Sequence, residues 1–285
     1  MGDSIMPETA GQSDVFATDN GTLYLKEPHV IAIAKPTIDL SNFHTFLEGF
    51  PPVAGFSSFD AGNFLFTPEA DEIGKIDQAA ALCKVAGQLC YMSYGPKSTK
   101  LIGPYIEHIL NRGHGSVLEH ANFTLLFYGI SRSVTHELIR HRAGFSYSQV
   151  SQRYVGEGVL RFVLRPEFDD DGELFSAFVK RIDSIAYEYR VLLDTLSHLP
   201  RKEAHQAARA VLNNEVEAPI IVTANARAWR HFLEMRGSLE ADIEIRRLAI
   251  AVLRAVGNIS PFLFQGMWED GEGLNTVIVS NHRKV

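Results

Sequence analysis

The longest amphipathic segment of the chain covers about residues 173–198, and it constrains the fold more than any other feature. Its apolar side chains recur three or four residues apart, which is the spacing of one face of an α-helix. They are Phe175, Phe178, Val179, Ile182, Ala186, Tyr189, Leu192 and Leu196. Pro200 follows, and proline breaks a helix. The sequence therefore predicts a long helix with one buried stripe.

Shorter periodic segments decide the fold class. Helices are predicted at about 76–93, from 99 onward, and at 201–212, 226–236 and 239–256. A further helix, capped by Ser131 or Ser133, is predicted to run into Arg140. Apolar or alternating runs predict strands within 22–35, 121–129 and 220–223. Helices outnumber strands without regular βαβ alternation, so we expect a helix-rich α+β fold with a central antiparallel or mixed sheet.

Composition along the chain predicts four segments. They are a disordered polar tail at 1–20, an N-terminal extension at 21–75, the main domain at 76–270 and a C-terminal tail at 271–285. The extension is rich in Pro, Gly and Phe, and the first tail is polar. We therefore expect the chemistry to lie in the main domain.

Charge and cysteine content exclude several classes of function. The net charge of −7 argues against general affinity for nucleic acid, which requires a broad basic surface. Cys83 and Cys90 are too few for a disulfide framework or a four-cysteine zinc site, and a reducing cytoplasm is the simplest location. We expect no membrane segment and no secretory signal, because no apolar run approaches roughly 20 residues and the N-terminus lacks a basic start.

Residues 140–154 concentrate three arginines, one histidine and several hydroxyl and amide side chains without any acid. Arginine offers a planar fork of donors that suits phosphate and carboxylate, and it stays charged at any relevant pH. The segment therefore predicts a binding site for an anion. The alternative is a basic helix end followed by a solvated loop, since the helix dipole favours cations there.

Arg236 is the second candidate. It lies seven, four and three residues beyond Trp229, Phe232 and Leu233, which places it on the apolar face of the predicted helix. A charge on that face requires a partner, because burying it unpaired is costly. It could instead cap the last turn before Gly237 and extend its guanidinium into solvent.

Two shorter patterns also suggest sites. His114 stands between Gly113 and Gly115, where glycines permit close approach of a ligand, although a simple turn into the next strand is as good an explanation. His136, Glu137 and His141 resemble a zinc-peptidase motif, but the second histidine comes one residue late. Helical ligands must be four residues apart to share a face, so we expect no metal.

Taken together, these segments resemble the flavin-dependent thymidylate synthases. The signature of that family is Arg-His-Arg followed, usually after seven residues, by Ser and commonly Arg-Tyr. Here Arg140-His141-Arg142 is followed by eight residues before Ser151-Gln152-Arg153-Tyr154, and Gly144 is expected to absorb the extra one. Three further blocks match in the expected order. They are His114 with Ser116, Glu119 and His120; Ala208-Arg209; and Asn225, Arg227, His231 and Arg236.

The resemblance covers about residues 76–267 and implies a specific activity. It implies conversion of dUMP to dTMP with methylenetetrahydrofolate as carbon donor, FAD reduced by NADPH, and a homotetramer with shared active sites. Contacts to FAD are implied for Ser116, Glu119, Arg140, His141, Arg142, Gln149, Asn225, Arg227 and His231. Contacts to dUMP are implied for Glu137, Arg140, Gln149, Ser151, Gln152, Arg153, Arg209 and Arg236. His114 is implied on the folate or flavin side, and Cys90 stands near a position where the family often has a flavin-side serine.

The resemblance gives Arg236 the catalytic role. Against the uracil, its guanidinium would stabilise negative charge, whereas its pKa is too high for it to act as a base at neutral pH. Reduced flavin can deliver hydride to the pyrimidine, so no enzyme thiolate has to attack the ring. Two other classes stay open at this point: a non-catalytic nucleotide- or flavin-binding regulator, and a metal hydrolase built on His136 and His141.

Overall fold

The computed structural model describes residues 15–48, 77–91, 93, 101–156 and 160–282. Most of the predicted N-terminal tail, much of the extension and the start of the helix expected from 99 lie outside the described residues. The described chain divides into two compact units. Unit 1 contains 15–29, 128–138, 149–156 and 160–220. Unit 2 contains 30–48, 77–91, 93, 101–127, 139–148 and 221–282.

Helices and strands are mixed along the chain, which confirms the predicted α+β class. The strands are β1 (Val15–Ala17), β2 (Leu23–Leu25), β3 (His29–Ala34), β4 (Asn122–Tyr128), β5 (Phe145–Gln149), β6 (Arg161–Val163), β7 (Ile220–Asn225), β8 (Met267–Asp270) and β9 (Val277–Ser280). The helices are α1 (Phe43–Glu48), α2 (Gln78–Leu89), α3 (Ile102–Asn111), α4 (Arg132–Leu138), α5 (Gly172–Thr195), α6 (Arg201–Ala208), α7 (Ala226–Arg236) and α8 (Ile243–Ile259). Among the described residues, none of these helices has the length and apolar character that crossing a membrane requires.

Unit 1 is built on the long helix α5. The carboxylate of Asp171 caps the helix by accepting hydrogen bonds from the backbone N–H groups of Glu173 and Leu174. A three-stranded sheet in the order β1-β2-β6 lies in the same unit, with β1 antiparallel and β6 parallel to β2. The stripe of α5 and the sheet share one core, formed by Tyr24, Phe162, Leu164, Phe178, Ile182, Ala186 and Val216. The predicted long helix and its buried stripe are confirmed.

Unit 2 contains a four-stranded sheet in the order β3-β4-β7-β5. Side chains alternate along β4, so that Phe123, Leu125 and Phe127 are fully buried. Helix α7 follows β7 without a loop, because the side chain of Asn225 caps it by accepting from the N–H of Ala228. This junction fixes the direction of α7, the helix that ends at the candidate Arg236.

Several local features differ from the sequence expectation. Strands β1 and β9 lie in segments expected to be tails, and each forms an antiparallel pair, β1 with β2 and β9 with β8. Strands β2 and β3 of the expected extension belong to the two sheets. Helix α4 ends at Leu138 and does not run into Arg140-His141-Arg142. Strands β1 and β9 have three and four residues, which is too few for an alternating pattern to reveal them.

Candidate active site

Unit 2 brings together two predicted residues that lie far apart in sequence. The Nε–H of Arg236 donates a hydrogen bond to Nε2 of His141 at 2.9 Å. The His141 ring also lies 5.3 Å from the ring of Phe232 and 6.1 Å from that of His231, measured between centroids. Arg236 is half-buried at the C-terminal end of α7. The expectation that Arg236 has a partner on the apolar face is therefore confirmed.

The imidazole of His141 is neutral at physiological pH. Burial lowers the pKa of His141 to about 4, with the positive charge of Arg236 and the neighbouring His231 as further causes. Because its Nε2 accepts from Arg236, the ring proton is carried by Nδ1. A neutral ring leaves the positive charge of this cluster on the guanidinium of Arg236.

The signature loop between Arg142 and Ser151, where the extra residue is expected, contains a tight turn at Gly144. The N–H of Phe145 donates to the carbonyl of Arg142 at 3.3 Å, and Gly144 has a φ of +77°, which L side chains rarely adopt. A Cβ at Gly144 would stand 2.8 Å from Nδ2 of Asn225 and 3.0 Å from Cβ of Ala228. Glycine is therefore favoured at this turn, which packs against Asn225 and Ala228 at the start of α7.

A second pair of predicted cofactor residues meets on the surface of unit 2. Arg227 Nη1 and Glu119 Oε1 form an ion pair at 2.7 Å, with both side chains close to half exposed. His114 is exposed directly before the short 3₁₀ helix Gly115–His120, and Ser116 is exposed within it. Arg140, Arg142 and His231 are also exposed. These exposed groups are open to a ligand, whereas the oxygen of Asn225 is used by the helix cap.

Most of the predicted substrate residues lie in unit 1. They are Glu137 on α4, Gln149 at the end of β5, Ser151, Gln152 and Arg153 in the segment that follows β5, and Arg209 after α6. Arg140 and Arg236 of the same predicted set belong to unit 2. The predicted set is therefore divided between the two units.

The loop of residues 149–156 is folded by its own hydrogen bonds. The carbonyl of Ser151 accepts from the N–H groups of Tyr154 and Val155, both at 3.1 Å, and its hydroxyl accepts from the N–H of Arg153 at 3.4 Å. Gln149 donates from Nε2 to the hydroxyl of Thr135 at 3.4 Å. These contacts give the loop a compact shape with Arg153 close to its tip.

Two side-chain donors of this loop are buried without a hydrogen-bond partner. They are Nε of Arg153 and Nε2 of Gln152. A buried donor that lacks an acceptor is costly, and an unsatisfied group at a predicted site points to a missing ligand. Arg132, which the sequence analysis missed, strengthens the cationic character of unit 1. Its pKa is lowered by burial and by the positive charge of Arg209.

Two further residues were missed because their partners are remote or on the backbone. The hydroxyl of Tyr147 donates to the carbonyl of His141 at 2.6 Å, and burial raises its pKa. Arg230 is 3% exposed, and its Nη1 donates to the carbonyls of Leu263 and Gln265. Arg230 directly follows Trp229 of the buried stripe, and this position was the only sign in the sequence of its burial.

The geometry argues against the metal-hydrolase hypothesis. His136 is exposed on α4, which ends at Leu138, so His141 is not on the same helix. Within the part of the chain that the structure describes, no group of three or more His, Cys, Asp or Glu side chains could hold a metal ion. His136 and His141 therefore do not share a helix face as the zinc-peptidase motif requires.

Comparison with known sequences identifies relatives that match the segment containing the predicted site residues. The family model described as "Thymidylate synthase complementing protein" matches residues 73–262. The flavin-dependent thymidylate synthase of Mycobacterium avium is 48% identical over 214 residues, covering 71% of this chain and 85% of the relative. That of Mycobacterium tuberculosis is 46% identical with the same coverage of both chains, 71% and 85%.

Comparison with solved structures identifies the same fold. A UMP/dUMP methylase from Streptomyces cacaoi, solved with 5-Br dUMP, superposes with a TM-score of 0.59. The match covers 84% of this chain and 94% of that one, at 19% identity. At this level of identity the likeness concerns the fold.

Proposed function

The chain belongs to the family of flavin-dependent thymidylate synthases, and from this premise we propose that it catalyses the reductive methylation of dUMP to dTMP. The observation that carries the proposal is the hydrogen bond between Arg236 and His141. It joins two signature blocks that are 95 residues apart and holds a cation beside a neutral ring. This is the arrangement expected of a site that stabilises negative charge on a planar substrate.

The donor set of unit 2 fits FAD. Arg140 and Arg142 are exposed cations that can hold a pyrophosphate, and guanidinium forks suit phosphate oxygens. The rings of His141 and His231 lie edge to face 6.1 Å apart beside them. Ser116, Asn225 and Arg227 complete the proposed set, although Arg227 already pairs with Glu119. When bound, the flavin supplies hydride.

The remaining functions in this proposal are assigned to residues of the chain itself. Arg236 lies against the uracil and stabilises negative charge as the ring ionises, because a guanidinium stays protonated at pH 7. His141 accepts from Nε of Arg236 and thereby fixes the orientation of the guanidinium plane. Gly144 keeps the signature loop close to α7.

The substrate phosphate is assigned to unit 1. Nε of Arg153, buried without an acceptor, would gain one from a phosphate oxygen, and Ser151 and Gln152 flank it. Arg209 and Arg132 add positive charge in the same unit. Glu137, Gln149 and Arg140 are the remaining proposed contacts to dUMP.

The finer assignments rest on the family resemblance. We propose NADPH as reductant, methylenetetrahydrofolate as carbon donor with His114 on its side of the flavin, and the cytoplasm as location. We also propose a homotetramer whose active sites are shared between subunits. The buried and unpaired donors of Gln152 and Arg153 support a site that a ligand or a second subunit completes.

Two measurements test the proposal. The purified protein should show visible flavin absorbance, or take up FAD when it is added. It should also release tritium from [5-³H]dUMP in the presence of FAD, NADPH and methylenetetrahydrofolate. Failure to bind FAD would refute the proposed cofactor. Flavin binding without tritium release would instead favour the non-catalytic regulator.

A further inference from the structure

Unit 1 contains a cavity whose lining shares only Gln152 with the proposed substrate contacts. Its volume is about 240 Å³. It is lined by Val150, Gln152, Val155, Gly156, Leu160, Arg161, Tyr189, Leu212, Val216, Glu217 and Pro219. Protein interiors are close-packed, and voids much larger than one water are few in a domain. A cavity of this size is therefore a candidate ligand site.

The lining determines the chemical class of the ligand. Most of its side chains are apolar, and an unpaired charge in such surroundings is costly. The one acid, Glu217, is already satisfied: it accepts from the N–H of Gly129 at 2.7 Å and from Nε of Arg161. No charge remains for a ligand to neutralise at this carboxylate. The cavity therefore favours a neutral molecule.

One polar group of the lining lacks a partner. Gln152 lines the cavity, and its Nε2 is buried without a hydrogen-bond acceptor. An unsatisfied buried amide costs more than an average hydrogen bond gains, so a ligand that brings an acceptor is preferred over one that does not. The ligand should therefore carry one acceptor on an otherwise apolar frame.

The volume sets the size of that frame. An apolar cavity of about 150 Å³ accepts a benzene ring. The 240 Å³ of this cavity leaves room for a flat molecule of about two fused rings. We propose that this cavity is a binding site for a neutral, bicyclic, mainly apolar molecule whose single acceptor meets the amide of Gln152.

The site would regulate the loop that carries the proposed phosphate contacts, an extension that rests on the proposed function. Val150, Gln152 and Val155 line the cavity, and Ser151 and Arg153 alternate with them along the same loop. A ligand that fixes Val150, Gln152 and Val155 must also bias the positions of Ser151 and Arg153. Binding in the cavity and binding of dUMP are then coupled, and the coupling is reciprocal.

The test uses a matched pair of probes on the full-length protein. Quinoline is neutral at pH 7.5 and carries one ring acceptor, and naphthalene has the same shape without it. Titration by ligand-observed saturation-transfer NMR should show binding of both, with quinoline about fivefold tighter. No detectable quinoline binding at millimolar concentration would overturn the proposal.

Variants locate the site. Val155→Phe fills the cavity and should abolish binding of both probes, whereas Val191→Phe makes the same change on an exposed part of α5 and should leave binding intact. Gln152→Leu should remove the fivefold preference for quinoline. Should Val155→Phe fail to fold, the Gln152→Leu result decides alone: an unchanged preference would contradict the proposal.

A separate measurement tests the proposed coupling between the cavity and dUMP binding. The dissociation constant of dUMP should change at least threefold when quinoline saturates the protein. Unchanged dUMP affinity with bound quinoline would refute the coupling while leaving the site intact. Absence of dUMP binding with bound quinoline would refute the proposed substrate, so the two failures are distinguishable.

Discussion

The two units hold their candidate functional residues in opposite ways. In unit 2 two pairs of predicted side chains satisfy one another: Arg236 donates to His141, and Arg227 pairs with Glu119. Arg230, outside the predicted set, keeps Nε and Nη2 buried without a hydrogen-bond partner. In unit 1 the donors of Gln152 and Arg153 are buried without partners. The first arrangement is organised before any ligand arrives, whereas the second is completed only by one.

This difference separates chemistry from recognition. A charge that stabilises a transition state has to be fixed in advance, because reorganising it during the reaction would cost part of the effect. A group that recognises substrate can be completed by the substrate, because the hydrogen bond it gains adds to affinity. We therefore expect changes in unit 2 to affect turnover and changes in the unit 1 loop to affect binding.

The largest effect is expected at Arg236. Arg236→Ala should lower dTMP formation by about three orders of magnitude, which is the upper range for removing one group that stabilises developing charge. Flavin absorbance and dUMP affinity should change far less. Tritium release from [5-³H]dUMP measures the loss. Arg254→Ala, which removes an exposed ion pair with Glu269, serves as control, and turnover retained by Arg236→Ala would remove the catalytic role.

The next effect is expected at Arg153. Arg153→Ala should weaken dUMP binding by about 30-fold, the range for losing one charge-assisted hydrogen bond, and should leave FAD binding nearly unchanged. Equilibrium binding of each ligand measures the two changes. Lys202→Ala is the matched control, because Arg153 and Lys202 both lie over the ring of Tyr154, at 5.6 Å and 5.3 Å. Equal weakening of dUMP and FAD would break the distinction between the units.

A smaller effect compares one glycine from each unit. Gly144 in unit 2 and Gly21 in unit 1 both have positive φ, +77° and +81°, but a Cβ meets atoms only at Gly144. Alanine should strain both backbones by about 1–2 kcal/mol. Gly144→Ala should lose about 1 kcal/mol more than Gly21→Ala in free energy of unfolding, because of overpacking against Asn225 and Ala228. Urea denaturation gives both values; equal losses would mean that the turn does not need close packing.

Local patterns predicted the helices that carry the site. Helix α7 has the predicted bounds, because the apolar stripe that includes Trp229 ends at Gly237 and Asn225 is a strong capping residue. The sequence did not identify the partner of Arg236, because an apolar helix face shows that a charge on it needs a partner but not which residue supplies it. The end of α4 at Leu138 was missed because no glycine or proline between Ile139 and Ala143 marks it.

Long-range contacts explain what stayed hidden. The acceptors of Arg230 lie on Leu263 and Gln265, 33 and 35 residues along the chain. Gln152 was expected on the substrate side by resemblance, whereas its side chain also lines the cavity of unit 1. Neither fact has a local signature, because both depend on which surfaces the fold brings together.

The smallest effect concerns the charge state of His141. Its pKa in the folded protein is lowered to about 4, mainly by burial, from an ordinary value of 6.5. Between those two values the unfolded chain binds a proton that the folded chain does not, so lowering the pH favours unfolding. The contribution to stability is present above about pH 6.5 and is lost as the pH falls towards 4.

His141→Gln should therefore flatten the pH dependence of the free energy of unfolding between pH 6.5 and 4. Glutamine offers an acceptor to Arg236 but does not titrate, so the variant keeps the hydrogen bond and removes only the proton uptake. If His141→Gln keeps the slope of the unmodified protein, the ring beside Arg236 is not held neutral by burial. The preorganisation of unit 2 would then have to come from the guanidinium alone, since a protonated His141 could not accept its hydrogen bond.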